Sequence, residues 1–115
     1  MVCAMASERA PTHPDLAARL RNRVLTSGIL DSELRLRALE RGAGGAPIAE
    51  PYDALARQIG ADSSRVTDEQ VAAVRDALGS DVRAFEVVLA AAVGAGLRRW
   101  DAATRAIAEA TDATG

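Results

Sequence analysis

The amino-acid sequence predicts an all-α fold of about five helices, the last of them long. Three observations carry that reading. Apolar residues recur every three or four positions along most of the chain. Gly, Pro and side chains suited to capping punctuate these stretches where helices would begin and end. Nowhere does a run of useful length alternate apolar and polar residues, as a half-buried strand would.

Residues 1–12 show no periodic pattern and read as a flexible N-terminal tail, leaving 13–115 as a single helical domain. A first helix opens at His13-Pro14-Asp15, where proline suits the first helical position. It carries Leu16, Leu20, Val24 and Leu25 at helical spacing and stops at Gly28. Asp31 or Ser32 caps a second helix that ends at Gly42. Residues 42–47 (GAGGAP) are the clearest loop in the chain. A third helix starts near Glu50-Pro51 and runs to Gly60 with Tyr52, Leu55 and Ile59 on one side. The fourth has the clearest start signal. Thr67 followed by Gln70 makes a capping box, Val66 and Val71 staple it, and Gly79 ends the helix.

The last helix, about residues 82 to 110, is capped by Ser80 or Asp81. Val82, Phe85, Leu89, Val93, Gly96, Leu97, Trp100, Thr104 and Ile107 step along it by three or four residues. Its middle, residues 90–96 (AAAVGAG), is small in side-chain volume. Two glycines inside a helix cost about 1 kcal/mol each relative to alanine, so something must approach this backbone closely, most simply another helix. The alternative is a break at Gly94–Gly96 that makes two shorter helices.

Composition limits what such a domain can be. The chain has 115 residues and a formal net charge of −2. All 14 basic residues are Arg, spread along the whole length, which gives no electrostatic footprint for nucleic acid. Of the 49% apolar residues, 26 are Ala, so few large side chains are available to bury. A monomer would have a thin core, and burial against other copies is expected. Cys3 is the single cysteine, which excludes an internal disulfide and is compatible with the reducing compartment of a cytoplasmic protein. No basic-then-apolar leader appears, and the most apolar run, 85–97, is too short to span a membrane.

The residues with chemistry to offer are few. His13, the only histidine, reads as a helix-start residue, with no second His or Cys at metal-ligand spacing. The glycine-rich loop lacks the Lys-Ser/Thr ending of a phosphate loop, so neither a cofactor nor a metal is expected. Glu86 stands at the front of the most apolar segment. A partly buried carboxylate there would have a raised pKa, as a general acid or base requires. The competing reading is a helix-edge Glu paired with Arg83 or with an arginine of another helix. Arg98 and Arg99 follow the small-residue stretch and read as interhelical or intersubunit ion-pair partners before substrate-binding groups.

Val66-Thr67-Asp68-Glu69-Gln70-Val71, then Val74-Arg75, Gly79-Ser80-Asp81 and Phe85-Glu86, followed by the small-residue helix 90–97 and Arg98-Arg99, form a recognisable order. This segment resembles the C-terminal half of the carboxymuconolactone decarboxylase and alkylhydroperoxidase D-like superfamily. The resemblance implies an all-helical fold of that kind and assembly into trimers or larger rings through the long helices. Redox members carry a Cys-x-x-Cys motif and a His on a preceding helix, but residues 31–60 contain neither Cys nor His. Peroxidase chemistry needs a thiolate and a resolving thiol, and both are missing from that region. The resemblance therefore implies a short, non-enzymatic or accessory relative that forms homo-oligomers or meets a partner protein. The alternative it leaves is a decarboxylase or lyase acting on a small acid, with Glu86 as acid or base, Arg98 or Arg99 holding the carboxylate, and Arg75 in support.

Overall fold

A computed structural model describes residues 10–114. Among them five α-helices follow one another with no strand: α1 (His13–Thr26), α2 (Ser32–Gly42), α3 (Tyr52–Asp62), α4 (Asp68–Leu78) and α5 (Asp81–Thr114). A 3₁₀ turn, Ser63–Arg65, joins α3 to α4. Of the expected tail, residues 1–9 and with them Cys3 lie outside the described residues. Thr12 does not belong to a tail. Its hydroxyl accepts from the Asp15 N–H while the Asp15 carboxylate accepts from the Thr12 N–H, a capping box one residue before the expected helix start.

The other ends follow the local chemistry. Asp31, not Ser32, caps α2 through the Leu34 N–H. The Thr67–Gln70 box opens α4, and Gly79 closes it in the left-handed conformation. Ser80, not Asp81, caps α5 through the Arg83 N–H at 3.1 Å.

The helix α5 is unbroken over 34 residues, so the alternative of a break at its glycines is not realised. Its inner face consists of Ala84, Val87, Ala90, Ala91, Gly94 and Ala95. The reason small residues line that face lies in α2, which crosses it. A Cβ on Gly94 would overlap the Leu39 carbonyl, and one on Gly42 would overlap the Ala91 carbonyl. The two backbones touch, which offsets the helix-propensity cost of glycine. On the other side of Gly42, α3 approaches as closely, since a Cβ on Gly60 would meet the Gly42 carbonyl. Leu39, Leu55, Ile59, Val74 and Val87 complete the core.

A helix does approach the small-residue stretch closely, as expected. The close approach at the small-residue stretch is made by the chain's own α2, at Gly94. Gly96 has nothing within 4 Å of its missing side chain. The large residues of α5 point the other way: Val82, Phe85 and Leu89 are 57%, 61% and 41% exposed. Helix α1, which buries no residue, lies along this outer face with Leu16 and Leu20 also exposed. From Asp101 to the end, every described side chain of α5 is in solvent.

Candidate functional site

Glu86 sits on α5 beside the α1–α2 connection and ties that connection down. Its carboxylate accepts from the Ile29 N–H at 2.9 Å and the Leu30 N–H at 2.6 Å. Gly28 makes this possible. Its φ is +106°, where L side chains are strained, and a Cβ there would collide with the Glu86 carboxylate. Arg35, buried on α2, stands 3.9 Å from Glu86 and donates to the carbonyls of Leu25 and Leu30. Its Nε is buried without a partner.

The electrostatics follow from that geometry. Burial by itself would push the Glu86 carboxyl up, but the N–H groups of Ile29 and Leu30 and the guanidiniums of Arg35 and Arg83 outweigh it. The net direction is below the ordinary value. A general acid requires the opposite shift. Glu86 is held as a carboxylate by the Ile29 and Leu30 N–H groups, with Arg35 of another helix beside it.

A second buried carboxylate, Asp53, plays the same part at the glycine-rich loop. It accepts from the Arg41 Nε at 2.7 Å and the Ile48 N–H at 3.0 Å, and Arg41 also donates to the Gly45 carbonyl. The Ile48 N–H, with Arg41 and Arg57, holds the Asp53 carboxyl below its usual value against the effect of burial. Sequence reasoning offered an arginine of another helix for Glu86 without naming it, and missed the clamp at Asp53. The partners Arg35–Glu86 and Arg41–Asp53 lie on different helices, and no local spacing announces them.

The candidate residues do not converge. Glu86 and Arg98 are twelve residues apart on one helix, roughly 18 Å along its axis. Arg99 donates to the Gly60 carbonyl at 2.9 Å, on the last turn of α3. Arg98 lies over Gly44, just past the end of α2. Arg75 is half-exposed, 3.8 Å from Asp81 across the α4–α5 turn. His13 begins α1 and packs edge-on against Trp100, ring centres 5.4 Å apart.

Two depressions flank α1. One, of about 910 Å³, lies between α1, the end of α2 and α5. Arg21, Arg98 and Arg105 line it, but so do Glu40 and Asp101. The other, of about 620 Å³, is an apolar groove lined by Leu16, Leu20, Val93, Gly96, Leu97 and Trp100, with His13 at its end. Glu86 lines neither. Among the described residues no cluster of His, Cys, Asp or Glu is arranged to hold a metal, and no helix is long and apolar enough to cross a membrane.

Comparison with protein-family models, with curated proteins and with solved structures returns no match.

Proposed function

We propose that this chain is a non-enzymatic or accessory cytoplasmic protein that assembles with copies of itself, or with a partner offering a similar helix, through the outer face of α5. One observation carries the reading: α5 is apolar on two opposite faces, and the chain buries one of them while α1 flanks only part of the other. A helix apolar all round belongs in an interior. Val82, Phe85 and Leu89 are instead exposed together, continuous with the groove over Gly96. A patch of this kind on a protein surface marks an interaction site.

Two further features support it. The radius of gyration is 17.3 Å, against about 13 Å for a compact domain of this length. The exposed end of α5 beyond Trp100 is about as long as the shortest helices that are marginally stable alone in water. Kinship with the carboxymuconolactone decarboxylase-like superfamily is part of the same proposal. It rests on the order of residues 66–103 and on the assembly through long helices that the resemblance implies.

The lyase alternative has less to stand on, because Glu86, Arg98 and Arg99 are dispersed and each is placed where it supports a helix end or a loop. The test is Leu89→Glu. A charge there leaves the core untouched and places a carboxylate on the shared face. The expected result is an unchanged circular dichroism spectrum with a solution mass reduced to the 12.0 kDa of one chain. A variant that keeps the parent's multimeric mass contradicts the proposal.

A further inference from the structure

We infer that the depression of about 910 Å³ between α1, the end of α2 and α5 binds a small acidic zwitterion. Its ligand carries two carboxylates and an ammonium, the charge pattern of an acidic α-amino acid, free or within a dipeptide. The inference is independent of the assembly reading, because Val82, Phe85 and Leu89 do not line this depression.

Unpaired charge is the first observation. Arg21, Arg98, Arg105, Glu40 and Asp101 all line the depression. Among the described residues none of the five makes an ion pair. Elsewhere the chain pairs its arginines: Arg35 and Arg41 each stand against a carboxylate, and Arg99 donates to a carbonyl. On α5 the three charges fall at Arg98, Asp101 and Arg105, spacings of three and four residues that put them on one face. They alternate in sign over roughly 10 Å of helix.

The surroundings make those charges count. Between them the walls are apolar, with Ala17 and Ala18 of α1, Leu39 of α2 and Leu97 of α5. A cleft with low-dielectric walls focuses the field of the charges that line it. Arg98 also has a seat shaped for it. Gly44 stands beneath its guanidinium with φ +90°, and a Cβ there would come within 2.9 Å of Arg98 Nη1. The volume lies within the range of small-molecule sites, which join apolar walls to a few placed polar groups.

Charge complementarity names the ligand. Three guanidiniums against two carboxylates leave the depression at +1, in a chain whose formal net charge is −2. The order positive, negative, positive along α5 matches carboxylate, ammonium, carboxylate. Arg98 and Arg105 each take one acid group, since guanidinium and carboxylate pair through two parallel hydrogen bonds. Asp101 takes the ammonium between them. A simple anion would leave Asp101 and Glu40 facing like charge.

Trp100 lines the depression and is the only tryptophan in the chain, so its fluorescence reports occupancy. Titration with L-glutamate and with the dipeptide Glu-Ala, confirmed by calorimetry at low salt, should give saturable binding with a Kd of about 1 mM or tighter. The tighter of the two distinguishes a free amino acid from a peptide. Glutarate, which lacks the ammonium, and glutamine, which lacks one carboxylate, should each bind about tenfold more weakly. Arg98→Ala should weaken glutamate and glutarate alike, whereas Asp101→Asn should weaken glutamate and spare glutarate. A merely structural role for Asp101 would not separate the two ligands. Circular dichroism verifies that each variant is folded. Equal binding of glutamate and glutarate, or no saturable binding of either glutamate or Glu-Ala, would overturn the inference while leaving the assembly reading as it stands.

Discussion

The two faces of α5 are built on opposite rules. On the inner face, Ala90, Ala91, Gly94 and Ala95 are small because a backbone, not a side chain, is the neighbour. On the outer face, Val82, Phe85 and Leu89 are large although the chain leaves each of them 41% to 61% exposed. The contrast is sharpest between two glycines two residues apart. Gly94 is pressed against the Leu39 carbonyl, and Gly96 faces open space. A helix interior tolerates glycine only where something offsets its cost. For Gly94 that is α2. For Gly96 the chain supplies no such contact, and the proposed assembly would supply one.

The largest effect that would break this comparison comes from substituting those two glycines alike. Gly94→Ala drives a methyl group into the backbone of α2. Overpacking usually costs about 1–3 kcal/mol when side chains can shift, and here a carbonyl is the obstacle. The expected outcome is loss of the cooperative thermal transition. Gly96→Ala meets no obstacle within the chain and should raise the helix stability of the isolated monomer by up to about 1 kcal/mol. Thermal unfolding followed by circular dichroism checks both. Equal effects at the two positions would contradict the assignment of faces.

Next in size is the clamp at the edge between the faces. Glu86→Ala leaves the Ile29 and Leu30 N–H groups and the buried Arg35 guanidinium without their carboxylate, a loss of about 3 kcal/mol by analogy with other broken buried pairs. Urea unfolding measures it, and a cost within about 0.5 kcal/mol, typical of surface substitutions, would show that the clamp is not structural.

A smaller effect accompanies acidification. The carboxyls of Glu86 and Asp53 are lowered in the folded chain from ordinary values of 4.5 and 3.8. A lowered folded pKa means that the unfolded chain binds the proton first. The stabilisation is therefore complete above those ordinary values and is lost as pH falls through the depressed ones. The midpoint of urea unfolding should stay level down to about pH 5 and fall below it, and the Glu86→Ala variant should show a shallower fall. A parent curve that stays level through the acid range would place these carboxylates in solvent.

What the sequence made legible was local. Thr67 with Gln70, Gly79 and the small run at 90–96 each state their role within one or two turns, and each stands where expected. The Thr12–Asp15 box carries the same signal with Asp in place of Glu and was there to be read. The direction in which α5 faces was not legible, because apolar residues occur all round its N-terminal two-thirds and periodicity cannot choose between two apolar sides. The candidate site was the least legible part. Glu86 was visible as a carboxylate in apolar surroundings, but whether it serves chemistry or structure depends on Gly28, Ile29 and Arg35. Those residues lie more than 50 positions away and meet it only after α1 and α2 have folded onto α5.

The central claim is that the outer face of α5 is an interface that the chain reserves for another copy. Sedimentation equilibrium of the purified, unmodified protein at micromolar concentration tests it most directly. The account predicts a mass at least twice the 12.0 kDa of one chain, falling toward that value on dilution if the pair is reversible. A stable monomer of 12.0 kDa throughout, with its helices intact, would contradict it.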